Sequence, residues 1–247
     1  MIILLSNDDG IHSEGLHCLE ETFQELGDVW TVAPQQPQNA VGRSITLHRP
    51  LRVVQLSERR FMVDGTPSDC VHLALNGLLP EKPAVVVSGI NKGANMGDDI
   101  PYSGTVAAAF EATLWGVFAC AVSLYGKHRF LFPPAARFTL RVVRAILANG
   151  MPPGIFLNIN LPDTDGREIT SFCITKQGKS RYQETLEQRV NPRGETYYWI
   201  GGDGTQFHLI PDSDADAVLR KQTASITPIK IDWTDYRFID VLKTWNI

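Results

Sequence analysis

Two neighbouring carboxylates, Asp8 and Asp9, are the residues of this sequence most able to do chemistry. They lie three and four residues after the apolar run at residues 1–5, whose abrupt polar end predicts a buried parallel strand. Ligands of open α/β sheets bind just beyond the carboxyl ends of such strands. Adjacent carboxylates repel each other and favour a hard cation such as Mg²⁺ or Mn²⁺, which prefers oxygen ligands. Both acids can reach one ion only if the chain bends, and Gly10 permits a bend.

A helix cap is the alternative explanation for the acid pair, because acidic residues are common just before helices. A cap accounts for one of the two acids well and for both of them less well. The pair therefore favours a metal site.

A second candidate is the polar, glycine-rich segment at residues 88–103, which follows an apolar strand predicted at residues 84–87. Its length favours a functional loop, since structureless loops of this size are uncommon in compact domains. Asn95 within it offers a neutral amide oxygen that a hard cation can use. The alternative is a plain connection, because Gly and Asn are frequent in turns.

A third candidate is the sequence Ser103-Gly104-Thr105, which precedes a helix predicted at residues 105–115. Exposed backbone N–H groups, the helix dipole and two hydroxyl groups can together hold a phosphate at such a place. Many helices begin in this way, so an ordinary helix cap is the alternative. Beside a metal-binding loop, the phosphate-binding interpretation gains weight.

Composition and missing motifs argue against several other classes of protein. The net charge of −4 and the isoelectric point near 5.9 argue against broad binding of nucleic acid or of membrane surfaces. The sequence contains no GxGxxG, Walker A or GxSxG motif, which disfavours dinucleotide binding, a P-loop NTPase and a nucleophile elbow. It also lacks HExxH, so a zinc protease has little support.

The cysteines and the apolar runs predict a cytoplasmic location. The four cysteines are scattered, without a CxxC pair, and predict free thiols in a reducing compartment. No apolar run approaches the roughly 18 residues of a membrane span. Residues 1–5 are too short for a signal peptide and lack a basic flank.

Alternating strands and helices are predicted to position the candidate residues. In chain order they are strand 1–5, helix 13–26, strand 29–33, hairpin strands 51–54 and 60–63, a helix from residue 66, strand 84–87, helix 105–115, strand 117–124, helix 135–149 and strand 155–161. Thr66-Pro67-Ser68-Asp69 is a strong helix start, with a Thr cap, Pro in the first turn and an acid three residues after the cap. The alternation predicts a parallel, doubly wound α/β sheet over residues 1–162.

The chain changes character after Pro162. Residues 195–200 and 224–231 have the composition of β-structure and are separated by Gly, Asp and Pro, and residues 236–245 predict a short closing helix. A β-rich segment without a core of its own usually docks on another surface. We therefore expect residues 163–247 to be an extension of the same domain that carries an oligomerisation arm.

Six segments of the sequence together resemble the SurE (stationary-phase survival) family. They are LSNDDG at residues 5–10, GTPSDC at 65–70, SGINKGAN at 88–95, YSGTVAAA at 102–109, LNINLP at 157–162 and SITP at 225–228. The resemblance runs over nearly the whole chain. It implies a Rossmann-like, three-layer α/β core with a mostly parallel sheet, and a dimer or tetramer assembled through the C-terminal arms. It also implies a metal-dependent phosphatase that acts on nucleoside 5′- and 3′-monophosphates and sometimes on polyphosphate.

The resemblance also implies a set of metal ligands. The two acids, the serine and the asparagine of the family correspond here to Asp8, Asp9, Asn39 and Asn95. Asn39 thus stands where the family has serine. Gln35-Gln36 replaces the usual Asp-Arg pair, and Gln222 stands where the family usually has glycine. These departures bear on metal affinity, rate and substrate preference, and they leave the class of reaction in place.

We therefore expect a divalent-metal-dependent phosphatase that hydrolyses nucleoside 5′-monophosphates, and 3′-monophosphates as well, to nucleoside and phosphate. One Mg²⁺ or Mn²⁺ per subunit is expected on Asp8, Asp9, Asn39 and Asn95, and the phosphate on Ser103, Gly104 and Thr105. Asp8 and Asp9 are the expected catalytic residues. One of these acids is a general base or a nucleophile that forms an aspartyl-phosphate, and the residues leave both routes open.

The expected partners are a nucleoside monophosphate and further copies of the chain, in a homodimer or homotetramer, with neither polymeric nucleic acid nor a membrane among them. Two alternative functions remain open. One is a phosphomonoesterase or exopolyphosphatase with another main substrate. The other is a non-catalytic protein that binds a nucleotide or phosphate.

Overall fold

One mixed sheet forms the centre of the molecule. The structure is a computed structural model that describes residues 1–126, 129–182, 185–201 and 205–247. Residues 183–184 and 202–204 of the expected extension lie outside the described residues. In the described part, nine strands form the sheet in the order β3-β4-β2-β1-β5-β6-β7-β13-β8. The strands are β1 (Ile2–Ser6), β2 (Asp28–Pro34), β3 (Val53–Ser57), β4 (Arg60–Val63), β5 (Val85–Lys92), β6 (Phe118–Leu124), β7 (Ile155–Leu161), β8 (Phe172–Ile174), β9 (Lys179–Tyr182), β10 (Thr185–Val190), β11 (Thr196–Gly201), β12 (Thr205–His208) and β13 (Ala224–Lys230).

The six central strands, from β4 to β7 in the sheet order, pair in parallel. At the two ends, β3 pairs antiparallel with β4, and β13 pairs antiparallel with β7. Parallel pairing brings the carboxyl ends of β1, β5, β6 and β7 to one edge of the sheet. The candidate acids and the Asn95 segment follow strands that end at this edge.

Helices cover both faces of the sheet. They are α1 (Glu14–Phe23), α2 (Pro67–Leu73), α3 (Gly104–Leu114), α4 (Phe132–Asn149) and α5 (Tyr236–Leu242). Ile3 and Leu5 of β1 lie in the core under α1 and α4, whereas Leu4 lies in the core under α2 and α3. Successive side chains of a strand point to opposite faces, so a continuous apolar run is what a strand buried on both sides requires. The expected three-layer α/β core is confirmed.

Two helix starts follow the sequence signals. The Ser13 hydroxyl accepts a hydrogen bond from the Leu16 N–H at 3.4 Å and caps α1. At α2, the Thr66 hydroxyl accepts from the Asp69 N–H, and the Asp69 carboxylate accepts from the Thr66 N–H, which is the reciprocal capping box.

Several element boundaries differ from the sequence-based expectation, among them the end of the first helix and the bounds of residues 88–103. The first helix ends at Phe23 and not near Gly27, because the Leu26 N–H bonds the Phe23 carbonyl in a turn. Residues 88–103 are not one loop, since β5 continues to Lys92, where Asn91 pairs with Ser123 of β6. A 3₁₀ helix then occupies Gly97–Tyr102. The polar side chains of residues 88–103 favoured a loop, whereas backbone hydrogen bonds define a strand end and a short helix there.

The segment after Pro162 has two parts. Strands β8 and β13 complete the central sheet. The other part is an arm in which β10 pairs antiparallel with β11, and β9 with β12. None of the helices in the described ranges could span a membrane.

Candidate active site

A tight bend after β1 presents the two acids. The Asn7 side-chain amide donates to the Gly10 carbonyl at 2.9 Å and to the Ser13 hydroxyl at 2.6 Å, which closes the turn. Gly10 has a φ of +94°, in the left-handed region that favours glycine. Asp8 is 5% exposed and Asp9 is half-buried. The predicted bend is therefore present, and Asn7 is the residue that closes it.

The N-terminus of α3 lies directly against Asp8. The Thr105 hydroxyl donates a hydrogen bond to Oδ1 of Asp8. A Cβ added at Gly104 would lie 2.7 Å from the Asp8 Cβ and 2.9 Å from its Oδ2, so only glycine allows this approach. The Ser103 hydroxyl caps α3 by accepting from the Val106 N–H at 3.2 Å. The structure thus brings the predicted phosphate-binding residues and Asp8 into one place.

The acid pair is electrostatically strained. Burial raises the pKa of the Asp8 carboxyl to about 6, the charge of Asp9 adds to the rise, and hydrogen bonds from Thr105 oppose it. Burial also raises the pKa of Asp9. Two effects of Lys92 oppose this rise: its N–H donates a hydrogen bond to Oδ2 of Asp9 at 3.0 Å, and its side chain carries a positive charge. A cation placed between the carboxylates would relieve both effects.

Asn95 is held at the same edge of the sheet, above β6 and β7. Its N–H donates to Oδ1 of Asn160 at 2.8 Å, and its carbonyl accepts from Nδ2 of Asn158 and of Asn160, each at 2.9 Å. Its side-chain Nδ2 donates to the Ser123 hydroxyl at 2.8 Å. No hydrogen bond among the described residues uses Oδ1 of Asn95, although the residue is only 8% exposed.

These supporting residues were missed by sequence reasoning, apart from the LNINLP resemblance. The available signal was two asparagines at alternate positions of an otherwise apolar strand, Asn158 and Asn160, which both point to one face. Both are fully buried, and buried polar side chains need hydrogen-bond partners. Their main partner is the Asn95 backbone.

The segment that contains Asn39 lies beside Asp8, and the Asn39 side chain is exposed. It sits in a turn, and the preceding Gln38 donates its N–H to the Asp8 carbonyl at 2.8 Å. Among the described residues, no hydrogen bond involves the Asn39 side chain. The structure therefore brings the segment to Asp8, and the role of Asn39 as a ligand stays a prediction.

An open cleft adjoins Asp9. It measures about 510 Å³ and is lined by Asp9, Glu14, Lys92 and Arg129 among others. Lys92 and Arg129 add positive charge beside the acids, which suits an anionic group placed next to a carboxylate-bound cation.

The site loop is tied to the C-terminal extension. The buried Asp214 carboxylate accepts from the Gly97 N–H and from the Gly178 N–H, each at 2.9 Å. The Gln177 side chain donates to the Gly97 carbonyl at 2.8 Å. Burial raises the pKa of the Asp214 carboxyl, and the hydrogen bonds from these N–H groups oppose the rise. The loop that follows Asn95 is thereby anchored at the base of the arm.

The donor set at this edge fits a hard cation. No group of three or more His, Cys, Asp or Glu able to hold a metal occurs in the described part of the chain. Two carboxylates and the amide oxygen of Asn95, which has no hydrogen bond to any described residue, are instead the oxygen donors that Mg²⁺ and Mn²⁺ prefer.

The whole chain is similar in sequence and fold to proteins of one family. A family model described as "Survival protein SurE" matches residues 3–184. The chain is 47% identical over 246 residues to a protein of Myxococcus xanthus named 5′-nucleotidase SurE, covering 99% of this chain and 93% of that protein. A Geotalea daltonii protein of the same name is 47% identical over 248 residues, with 100% of both chains covered. The crystal structure of the SurE protein from Aquifex aeolicus matches with a TM-score of 0.87 and 36% identity, covering 98% of each chain. With its acid pair, its Ser103-Gly104-Thr105 helix start and this similarity along its full length, the chain belongs to the SurE family.

Proposed function

We propose that this protein is a divalent-metal-dependent 5′-nucleotidase that also hydrolyses nucleoside 3′-monophosphates. The observation that carries the proposal is the contact between the buried Asp8 carboxylate and the N-terminus of α3 at Gly104 and Thr105. This contact places a carboxylate that can bind a cation next to a helix N-terminus that can bind a phosphate. The names of the relatives from M. xanthus and G. daltonii support the same substrate class.

The chain's own residues divide the work between cation and substrate. Asp8, Asp9, Asn39 and Asn95 hold one Mg²⁺ or Mn²⁺ in this proposal. When bound, the cation neutralises the acid pair, polarises a phosphoryl oxygen and lowers the pKa of water. The α3 N-terminus and the Ser103 hydroxyl bind the remaining phosphoryl oxygens, where negative charge develops.

The acids have two possible chemical roles. Either one of them accepts a proton from the water that attacks phosphorus, or one attacks phosphorus itself. In the second route the ester P–O bond breaks, the nucleoside leaves and takes up a proton, and water then hydrolyses the aspartyl-phosphate to aspartate and phosphate. Asp9 is the less buried of the two and adjoins the open cleft. Trapping of a phosphorylated aspartate after rapid quenching separates these routes.

A substrate panel tests the proposed activity. Phosphate release is measured from nucleoside 5′- and 3′-monophosphates, polyphosphate and simple phosphomonoesters, with Mg²⁺, Mn²⁺ or a chelator. We expect release from 5′-monophosphates that a chelator abolishes and that Asp9→Asn lowers at least about a hundredfold. Asp165→Asn is the matched control, since Asp165 is exposed and already has the positive φ that asparagine tolerates.

Each contrary outcome of the panel points to a different function. Nucleotide binding without phosphate release would identify a non-catalytic binder. Faster release from polyphosphate or from another phosphomonoester would identify a different main substrate. Full activity in a chelator would remove the metal from the proposal.

We also propose that the protein is a homodimer or homotetramer assembled through the extension. The arm strands expose large apolar side chains, among them Tyr198, Trp199 and Ile200. Helix α5 buries no residue in the single chain, and it carries exposed Phe238 and Val241. Clustered exposed apolar side chains of this kind mark interaction surfaces.

Light scattering of the full chain tests the assembly. Removing the whole extension would also remove β13 from the central sheet, so point variants are the cleaner probe. Trp199→Ser combined with Ile200→Ser should lower the average mass, and Thr205→Ser on the same arm should leave it unchanged. A monomeric full chain would refute the proposal.

The remaining proposed properties concern surroundings. We place the enzyme in the cytoplasm, because all four cysteines are free thiols. The net charge of −4 supports partners other than polymeric nucleic acid or a membrane surface.

A further inference from the structure

Ser123 of β6 is a fully buried polar residue to which the proposed chemistry assigns no task. It lies opposite Asn91 of β5 and Asn160 of β7 in the sheet register. Its hydroxyl accepts the hydrogen bond from Nδ2 of Asn95 at 2.8 Å. We propose that Ser123 is a positioning residue that holds the Asn95 amide with its oxygen available to a divalent cation; this inference rests on the proposed metal site.

Three hydrogen bonds hold the Asn95 main chain. Asn160 both donates to the Asn95 carbonyl and accepts from its N–H, and Asn158 donates to the same carbonyl. These three bonds fix the place from which the side chain starts. The remaining freedom is rotation about the two side-chain torsions, which includes exchange of the amide nitrogen and oxygen.

Only one orientation of the Asn95 amide serves a cation, because a hard cation binds the oxygen and not the nitrogen. In that orientation the NH₂ group is turned away from the ion and needs an acceptor. Ser123 supplies the acceptor inside the protein. The side-chain oxygen of Asn95 is then left without a hydrogen bond to any described residue, although Asn95 is only 8% exposed.

Loss of the Ser123 hydroxyl should act mainly on the metal-bound form. Without the cation, the Asn95 amide of Ser123→Ala can turn its nitrogen toward solvent. With the cation, the nitrogen must return to a buried place that lacks an acceptor, and an unpaired buried donor is unfavourable. Partners that orient metal ligands from behind typically change metal affinity by about ten- to a hundredfold when they are removed.

Ser88 offers a matched control. It is also a fully buried serine of the parallel sheet, on the neighbouring strand β5. Its hydroxyl has no hydrogen-bond partner among the described residues. Ser88→Ala therefore removes the same atom from the neighbouring strand without breaking a hydrogen bond among the described residues.

Mn²⁺ binding, followed by the electron paramagnetic resonance of free Mn²⁺ in the absence of substrate, tests the inference without using activity. Ser123→Ala should weaken binding at least about tenfold, and Ser88→Ala should leave it unchanged. Ser123→Thr keeps the hydroxyl and should bind more tightly than Ser123→Ala. In an Asn95→Ala background, Ser123→Ala should have no further effect, because the side chain through which it acts is gone.

The outcomes separate this inference from the metal site itself. Absence of Mn²⁺ binding by the unaltered protein would refute the metal site and everything that rests on it. Tight binding by the unaltered protein and by Ser123→Ala alike would refute the role of Ser123 alone. Equal losses in the Asn95→Ala and unaltered backgrounds would show that Ser123 acts by packing and not through Asn95.

Discussion

The Thr105 hydroxyl donates a hydrogen bond to Asp8, joining the start of α3 to the end of β1 across 97 residues of sequence. This bond is among the few favourable interactions of a carboxylate that is buried beside a second carboxylate. The site is therefore assembled at the expense of stability in the protein without metal. That conflict can be measured.

Asp8→Asn should stabilise the metal-free protein near neutral pH. The folded-state pKa of Asp8 is about 6, above the ordinary value of 3.8. The folded protein thus holds this proton more tightly than the unfolded chain does. The contribution of this proton to the free energy of unfolding is fully present below pH 3.8 and is lost as the pH rises through about 6. Because one pKa unit corresponds to about 1.4 kcal/mol, the free energy of unfolding should fall by about 2–3 kcal/mol over this range.

Thermal unfolding in a chelator between pH 4 and 7.5 checks this prediction. The unaltered protein should lose stability toward the upper end, and Asp8→Asn should lose less. Asp165→Asn, which changes an exposed acid, should follow the unaltered protein. Identical pH profiles for Asp8→Asn and the unaltered protein would contradict the raised pKa.

Gly104→Ala should disable the site while the fold survives. The new methyl group would meet the Asp8 Cβ at 2.7 Å and the Gln38 carbonyl at 3.1 Å, so the acid or the loop must move. Displacement of a reacting group by about 1 Å can lower kcat/KM by about a hundredfold. Gly77→Ala is the control, because a Cβ there meets nothing within 4 Å. Normal kinetics in Gly104→Ala would show that this close approach has no part in catalysis.

Asn39→Ala tests whether the exposed loop residue reaches the metal. If Asn39 is a ligand, the Mn²⁺ concentration for half-maximal activity should rise about tenfold or more, and Asn39→Ser should partly restore it. If Asn39 only supports the turn, stability should fall and the metal titration should stay as it was. The neighbouring Ala40 has a φ of +54°, so the turn itself is strained.

Gln222→Gly should stabilise the protein slightly. Gln222 has a φ of +51°, which explains why glycine suits this position. Left-handed backbone costs an L-residue about 1–2 kcal/mol, and the greater unfolded-state freedom of glycine offsets about 0.5–1 kcal/mol. A melting temperature about 1–2 °C above that of the unaltered protein is expected. An equal or lower value would mean that Gln222 makes a compensating contact.

Local sequence determined most elements of residues 1–162 in outline and the location of the acids. An apolar run followed by two aspartates and a glycine marks a strand end and a bend, because burial and backbone freedom act over a few residues. Thr66 and Asp69 likewise specified a helix start through a reciprocal cap formed within one turn. Such interactions depend on neighbours in the chain, so they can be read from it.

Tertiary structure alone decided which distant groups meet. The polar end of β5 is a strand because Asn91 pairs with Ser123, and no local property of residues 88–92 requires that. Ser123 and Asn160 reach Asn95 only because β6 and β7 are neighbours in the sheet. The raised pKa of Asp8 arises from burial under residues that the fold brings together, and burial is a property of the packed molecule rather than of any segment.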